Sequence, residues 1–355
     1  MNCKNTRHME YRNLGKTDLK VSAICLGTMT WGNQNTEIDG HEQMDYALEA
    51  GINFFDTAEM YAVPPSPDTY GKTESIIGNW FAKKKNRDKV ILASKIAGPG
   101  LRWVRGGNYQ IDRKNILEAL EASLKRLQTD YIDLYQLHWP NRGSYHFGQI
   151  WGYNPNGTNT NEVLDNMHEV LETLQECMNS GKIRNIGLSN ETAWGIMQYL
   201  RISGEKNLPR MVSVQNEYSL LYRTHEPDLF EISMRENVGL LAWSPLATGM
   251  LTGKYANGKV PDGTRWTMIR KQNQRNTAQA HKAVDAYLQI AKKYNLDPGQ
   301  LALAFVTSRP FVTANIIGAT TMEQLKSNID SINVKITPEI LKDIDKVRRD
   351  FPIPY

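Results

Sequence analysis

The chain has 355 residues with 40% hydrophobic content, enough to bury a sizeable core as one large α/β domain or two smaller ones. Its net charge of +4 balances 42 basic against 38 acidic side chains, and no run of adjacent basic residues is longer than Lys83-Lys84-Lys85, with Arg348-Arg349 a short pair near the end, which excludes a nucleic-acid partner. A polar start, no apolar run near the roughly twenty residues of a membrane helix, and three scattered cysteines (Cys3, Cys25, Cys177) point to a soluble, cytoplasmic protein with free thiols and no membrane partner.

Residues 1–9 read as a flexible polar leader, so a single domain is expected over 10–355. Tyr11 to Leu14 and Leu19 to Ser22 flank Gly15-Lys-Thr-Asp18 as a hairpin that caps one end of the fold. The apolar run Ala23 to Gly27 follows, then an amphipathic helix from about His41 to Ala50, closed by Gly51. The unit then repeats. Ile52 to Asp56 leads to a helix over Lys72 to Lys84, and Val90 to Lys95 leads to one over Asp112 to Leu127. Ile132 to His138 precedes a helix near Glu162 to Ser180, and Ile183 to Ser189 precedes one over Glu191 to Arg201. Val212 to Gln215, Gly239 to Trp243 and Ala314 to Gly318 complete eight strand runs, and a further helix lies near Pro338 to Arg349.

Near-continuous apolar strands separated by helices imply a parallel sheet covered on both faces, and eight of them imply a closed (β/α)8 TIM barrel with an N-terminal hairpin cap and an extra C-terminal helix. An open doubly wound sheet is the alternative, but no Gly-x-Gly-x-x-Gly fingerprint follows the first strand. Long loops at 96–111, 139–161 and 244–275 all follow strands and therefore rise from one end, the end where barrel active sites lie. Their aromatics, including Trp103, Tyr145, Phe147, Trp151, Tyr153, Tyr255 and Trp266, read as pocket walls, with mobility expected in 154–161.

Strand ends carry the chemistry. Asp56 and nearby Tyr61 end the second strand, Lys95 the third and His138 the fourth, and neighbouring strands lie under about 5 Å apart. A lone Asp56 would serve as a turn acceptor, a lone Lys95 as an ion-pair partner, and a lone His138 as an ordinary strand-end histidine. Together they form a proton-delivery set. Tyrosine, with a pKa of about 10, donates poorly at neutral pH unless its phenolate is stabilised. Lys95 can supply that charge, Asp56 can orient Lys95, and His138 can donate to the same substrate oxygen. No metal is expected, because His41, His138, His146 and His168 show no ligand spacing. Ser189, Asn190, Gln215 and Trp243 at later strand ends offer amides, a hydroxyl and a stacking ring suited to a flat carboxamide such as nicotinamide. The turn Gly318-Ala-Thr-Thr321 opens a helix whose N-terminus can take a phosphate or be capped by Thr320 or Thr321.

The ordered motifs Leu26-Gly-Thr-Met29, Asn53-Phe-Phe-Asp-Thr-Ala-Glu-Met-Tyr61, Ala93-Ser-Lys95, Asp133-Leu-Tyr-Gln-Leu-His138, Gly187-Leu-Ser-Asn190, Val214-Gln-Asn216, Trp243-Ser-Pro-Leu246 and Gly318-Ala-Thr-Thr321 resemble the aldo-keto reductase family. The resemblance runs from about Glu10 to Ile332, and is strongest to the bacterial Tas-like branch, with kinship to potassium-channel β subunits. It implies an NADPH-dependent reductase of aldehydes or ketones, with Tyr61 as general acid, Lys95 and Asp56 tuning it, and His138 orienting the carbonyl. It implies NADP(H), with NAD(H) also admissible, held by Gly27, Thr28, Met29 and Asp56 near the nicotinamide ribose. Ser189, Asn190 and Gln215 would hold the carboxamide, and Trp243 would stack on the ring. Ser244, Pro245, Leu246, Lys254 and Arg265 match a loop over the pyrophosphate, and Gly318, Thr320, Gln324 and Asn328 match the adenosine phosphate end. Relatives often carry Lys and Arg where this chain has Gly318 and Gln324, and an acid at Ser327, so a preference for NADPH falls to Lys254 and Arg265. The stretch Val63 to Tyr70 is inserted beside the phenol, where its prolines stiffen the loop and reshape substrate access. A redox-sensing regulatory subunit with slow turnover and a Schiff-base lyase using Lys95 are the competing readings.

Overall fold

A computed structural model describes residues 9–107, 109–268 and 274–355. The expected leader lies outside the described residues except for Met9, which is buried with its side chain against Gly51. Strands β1 (Tyr11–Asn13) and β2 (Lys20–Ser22) pair antiparallel as the expected hairpin. Gly15 in its turn has φ +59°, and a Cβ there would sit 2.4 Å from the Val212 carbonyl oxygen, so only glycine lets the cap approach the barrel floor.

The eight expected strand runs all form, as β3 (Ile24–Gly27), β4 (Phe54–Asp56), β5 (Ile91–Ile96), β6 (Ile132–Leu137), β7 (Ile183–Ser189), β8 (Met211–Glu217), β9 (Gly239–Trp243) and β10 (Val312–Ile317). They are parallel and close in the order β10-β3-β4-β5-β6-β7-β8-β9, which is the (β/α)8 barrel. Leu14 and Val21 of the cap region pack with Cys25, Phe54, Ala93, Leu134, Val212, Leu241 and Ala314, a dry plug that fills the lower barrel. Cys25 and Cys177 are free and buried, and Cys3 lies outside the described residues.

Eleven helices surround the barrel among the described residues. Five match expected positions: α1 (Glu37–Glu49), α2 (Lys72–Lys84), α3 (Arg113–Leu127), α4 (Thr160–Asn179) and α5 (Ala193–Lys206). Next come α6 (Asp228–Glu236), the short α7 (Arg265–Met268), α8 (Ala278–Lys293) and α9 (Pro298–Thr307). The set ends with α10 (Met322–Asp330) and the expected extra helix α11 (Pro338–Asp350). Helix α1 begins four residues ahead of the expected start because Thr36 accepts from the Asp39 amide while Asp39 reaches back to the Thr36 amide. Asp in place of the usual Glu or Gln, followed by Gly40, obscured that box. None of the helices is long and apolar enough to cross a membrane, among the described residues.

Gly78 shows how tightly the outer layer packs. A Cβ on this α2 residue would lie 2.1 Å from the Arg126 carbonyl oxygen at the end of α3. Gly78→Ala should therefore lower stability by about 1–3 kcal/mol despite alanine's better helix propensity. A denaturant midpoint equal to that of the parent protein would refute the close approach.

Candidate active site

The upper barrel layer gathers its charges because successive strands end on polar residues pointing inward. Asp56, the last residue of β4, is 2% exposed, and Lys95 of β5 is 0% exposed. Lys95 Nζ donates to Asp56 Oδ1 at 2.6 Å, to the Thr57 carbonyl at 2.8 Å and to the Tyr61 phenol oxygen at 3.3 Å. Those three bonds use all three ammonium protons. Asp56 Oδ2 accepts from Gln215 Nε2 at 2.8 Å and Gln136 Nε2 at 3.2 Å, so the carboxylate is held from three strands. Burial alone would pull the Lys95 pKa down, but the adjoining Asp56 charge and hydrogen bond outweigh it and hold Lys95 above its ordinary value. An ammonium held protonated is unsuited to the Schiff-base reading.

Tyr61 lies on the loop after β4, with its ring edge-on to His138 at 5.8 Å and 78°. Burial raises its pKa, and the Lys95 charge opposes that rise. The phenol therefore stays protonated at neutral pH. Because Lys95 can only donate, the phenol oxygen accepts from it and the phenol proton is left free to be given elsewhere. His138 follows β6, and burial, then the Lys95 charge, pushes its pKa well below the usual imidazole value. It is neutral, and its Nδ1 is buried without a hydrogen-bond partner among the described residues.

The expected cofactor residues divide into two groups. Thr28 Oγ1 donates to the Asp56 carbonyl, Ser189 Oγ donates to the Gln215 carbonyl, and Asn190 Nδ2 donates to the His138 carbonyl. These contacts place them around the four central side chains, with Gly27 packed on the Ile317 carbonyl and the Met29 carbonyl accepting from the Val63 amide. Asn190 Oδ1 and Trp243 Nε1 are buried without hydrogen-bond partners among the described residues. The turn Ser244-Pro245-Leu246 leaves β9 and leads to Lys254 and Arg265. The second group lies at the far rim. A Cβ on Gly318 would meet only open space, Thr320 donates through its amide and hydroxyl to Gln324 Oε1, and Asn328 Nδ2 donates to the Gly318 carbonyl. Helix α10 is capped by Thr321, so Gln324 and Asn328 brace the loop itself.

The long loops build part of a wall. Trp139 stands 4.9 Å from His138, Phe147 packs edge-on to Trp139 at 6.0 Å and stacks on Trp243 at 6.0 Å. Phe147 holds this place with φ +56°, a strained backbone for an aromatic residue. Trp151, at 74% exposed, stands outside that wall. The insertion is tied in by the Val63 amide on Met29, by reciprocal Ser66 and Thr69 contacts, and by Arg265 Nη1 on the Val63 carbonyl at 3.1 Å. Phe147 fulfils the expectation of an aromatic pocket wall, but three residues were not expected at the site: Gln136 and Glu59, which support it from stretches read only as motif, and Arg275, which reaches Glu217 at the end of β8. Gln136 was legible in principle, since it lies two residues before His138 and a strand alternates faces.

The sequence matches the Aldo/keto reductase family over residues 23–349. It is 48% identical over 348 residues to Protein tas of Escherichia coli (strain K12), covering 98% of this chain and 99% of that protein. It is 36% identical over 354 residues to the uncharacterized oxidoreductase YrpG of Bacillus subtilis (strain 168), covering 98% and 97%. It is also 32% identical over 360 residues to a putative voltage-gated potassium channel subunit beta of Schizosaccharomyces pombe, covering 98% and 95%. A barrel of eight parallel strands, a polar upper layer and a match across nearly the whole chain have one conclusion: the chain belongs to the aldo/keto reductase family and is an NAD(P)H-dependent oxidoreductase.

Proposed function

We propose that this protein reduces an aldehyde or ketone to the alcohol with NADPH, Tyr61 acting as the general acid. The observation that carries the reading is the Lys95 to Tyr61 hydrogen bond, in which the phenol oxygen accepts and its proton is left for the substrate. A reduced nicotinamide bound beside it supplies hydride to the carbonyl carbon. As negative charge develops on the carbonyl oxygen, Tyr61 transfers its proton and neutral His138 donates a hydrogen bond to the same oxygen. The nascent phenolate is stabilised by Lys95, which Asp56, Gln136 and Gln215 hold in place.

The residues present suit a dinucleotide. Asn190 Oδ1 and Trp243 Nε1 are polar atoms without partners among the described residues beside the central four, a fit for a carboxamide and a flat ring. Lys254 and Arg265 are half-buried cations without a carboxylate partner among the described residues; Lys254 has only the Tyr255 ring at 5.3 Å, and Arg265 has a buried Nε with no acceptor. Two such cations favour a polyanion such as a pyrophosphate or a 2′-phosphate. With Gly318 and Gln324 at the far rim, these two residues are the basis for NADPH over NADH. The 63–70 insertion, braced by Arg265, bounds access to the phenol.

The test is to follow NADPH absorbance against a panel of aldehydes and ketones, with direct binding of NADPH and NADH measured in parallel. Turnover with NADPH is the expected result. Absence of nucleotide binding would sink the reading. Tight binding with negligible turnover across the panel would favour a cofactor-sensing subunit, a role consistent with the name of the Schizosaccharomyces pombe relative.

A further inference from the structure

Between Asp56 and Tyr61 lies Glu59, a fully buried carboxylate with no part in the proton transfer described above. The β4–β5 ladder ends where Asp56 pairs with Ala93, yet the contact between these two segments continues past it. The Thr57 amide donates to the Ala93 carbonyl at 2.9 Å and the Glu59 amide to the Lys95 carbonyl at 3.2 Å. At the next step the Glu59 side chain takes over, with Oε1 accepting from the Ala97 amide at 2.7 Å. One residue thus clamps the segment that carries Tyr61 onto the segment that carries Lys95.

The other carboxylate oxygen joins two further segments. Glu59 Oε2 accepts from Tyr70 at 2.6 Å, at the end of the 63–70 insertion, and from Arg105 Nη1 at 2.7 Å, in the loop after β5. Arg105 also lies over the Tyr109 ring at 4.4 Å, and Tyr109 donates to the Gly98 carbonyl at 2.6 Å. A buried carboxylate needs partners wherever it sits, and a purely structural ion pair would satisfy that need. What sets Glu59 apart is that its partners lie on both sides of the Tyr61–Lys95 contact.

We infer that Glu59 is a positioning residue for the reaction: it fixes the spacing of the Tyr61 phenol from the Lys95 ammonium, and through Tyr70 and Arg105 it makes that spacing depend on the two neighbouring loops. The inference rests on the acid role of Tyr61. Glu59→Gln keeps the size and the acceptor for Ala97 but presents an amide to Arg105. It is expected to lower kcat about tenfold, since a displacement of about 1 Å can cost 10²-fold, while KM and NADPH affinity change less than about twofold. In a Tyr61→Phe background the same substitution should cause no further fall in kcat. Tyr70→Phe, which removes a single hydroxyl, should give a smaller fall of the same kind, and it carries the test in both backgrounds if Glu59→Gln fails to fold. An equal fold-loss in both backgrounds, or a change confined to KM or cofactor affinity, would overturn the inference and leave the acid role standing. Full activity of Tyr61→Phe itself would remove both.

Discussion

Replacing Tyr61 by phenylalanine is expected to lower kcat for carbonyl reduction by about 10²- to 10⁴-fold while leaving NADPH affinity unchanged. The substitution deletes only the phenol oxygen, which accepts from Lys95 at 3.3 Å. The ring, with its edge contact to His138, is retained, so the site keeps its shape and loses its proton donor. The direction of the pKa changes predicts the pH profile of the parent enzyme. Burial raises the Tyr61 pKa, so the acid form persists upward through neutrality and is lost only in strongly alkaline solution. Burial and Lys95 lower the His138 pKa, so that imidazole is already neutral and adds no inflection near its usual value of about 6.5. The reduction rate should accordingly be level from about pH 6 to about pH 9. A sharp inflection near neutrality in kcat, with product release shown to be fast, would mean that another group delivers the proton.

Architecture was legible in the sequence because near-continuous apolar runs are a strong signal for buried parallel strands, and all eight formed at the barrel positions expected of them. Asp56, Tyr61, Lys95 and His138 were legible for a different reason: each is a polar residue at or just past the end of an apolar strand, and barrel closure brings such ends together. Gln136 was missed because an amide within an apolar run carries no charge to single it out, although it supports Asp56 directly. Glu59 was hidden by its own motif. Lying between Asp56 and Tyr61, it read as part of the pattern, and its partners Tyr70, Ala97 and Arg105 sit 11 to 46 positions away. The helices α6 to α10 were left without ranges, and the long loop after β9 blurred the periodicity around α7 and α8. Contacts between loops depend on backbone paths that local propensity does not encode.

Lys95→Met should have the largest combined effect on folding and on rate. Lys95 and Asp56 form a buried pair at 2.6 Å with side chains 0% and 3% exposed. Removing the cation leaves Asp56 with only the Gln136 and Gln215 amides among the described residues, and an uncompensated buried carboxylate lowers stability by about 3–5 kcal/mol. The same change takes away the charge that stabilises the Tyr61 phenolate, so carbonyl reduction should fall by at least about 10²-fold. The two effects separate in the double variant Lys95→Met with Asp56→Asn. Without a charge left to compensate, its denaturant midpoint should return most of the way to that of the parent, as buried pairs replaced together often do. Its rate should stay low, because the phenol still lacks its ammonium. A single variant as stable as the parent would show that Asp56 is not held as a buried anion. A double variant that regained both stability and rate would make Lys95 a structural cation alone, and the proton would have to come from a phenol that no neighbouring charge assists.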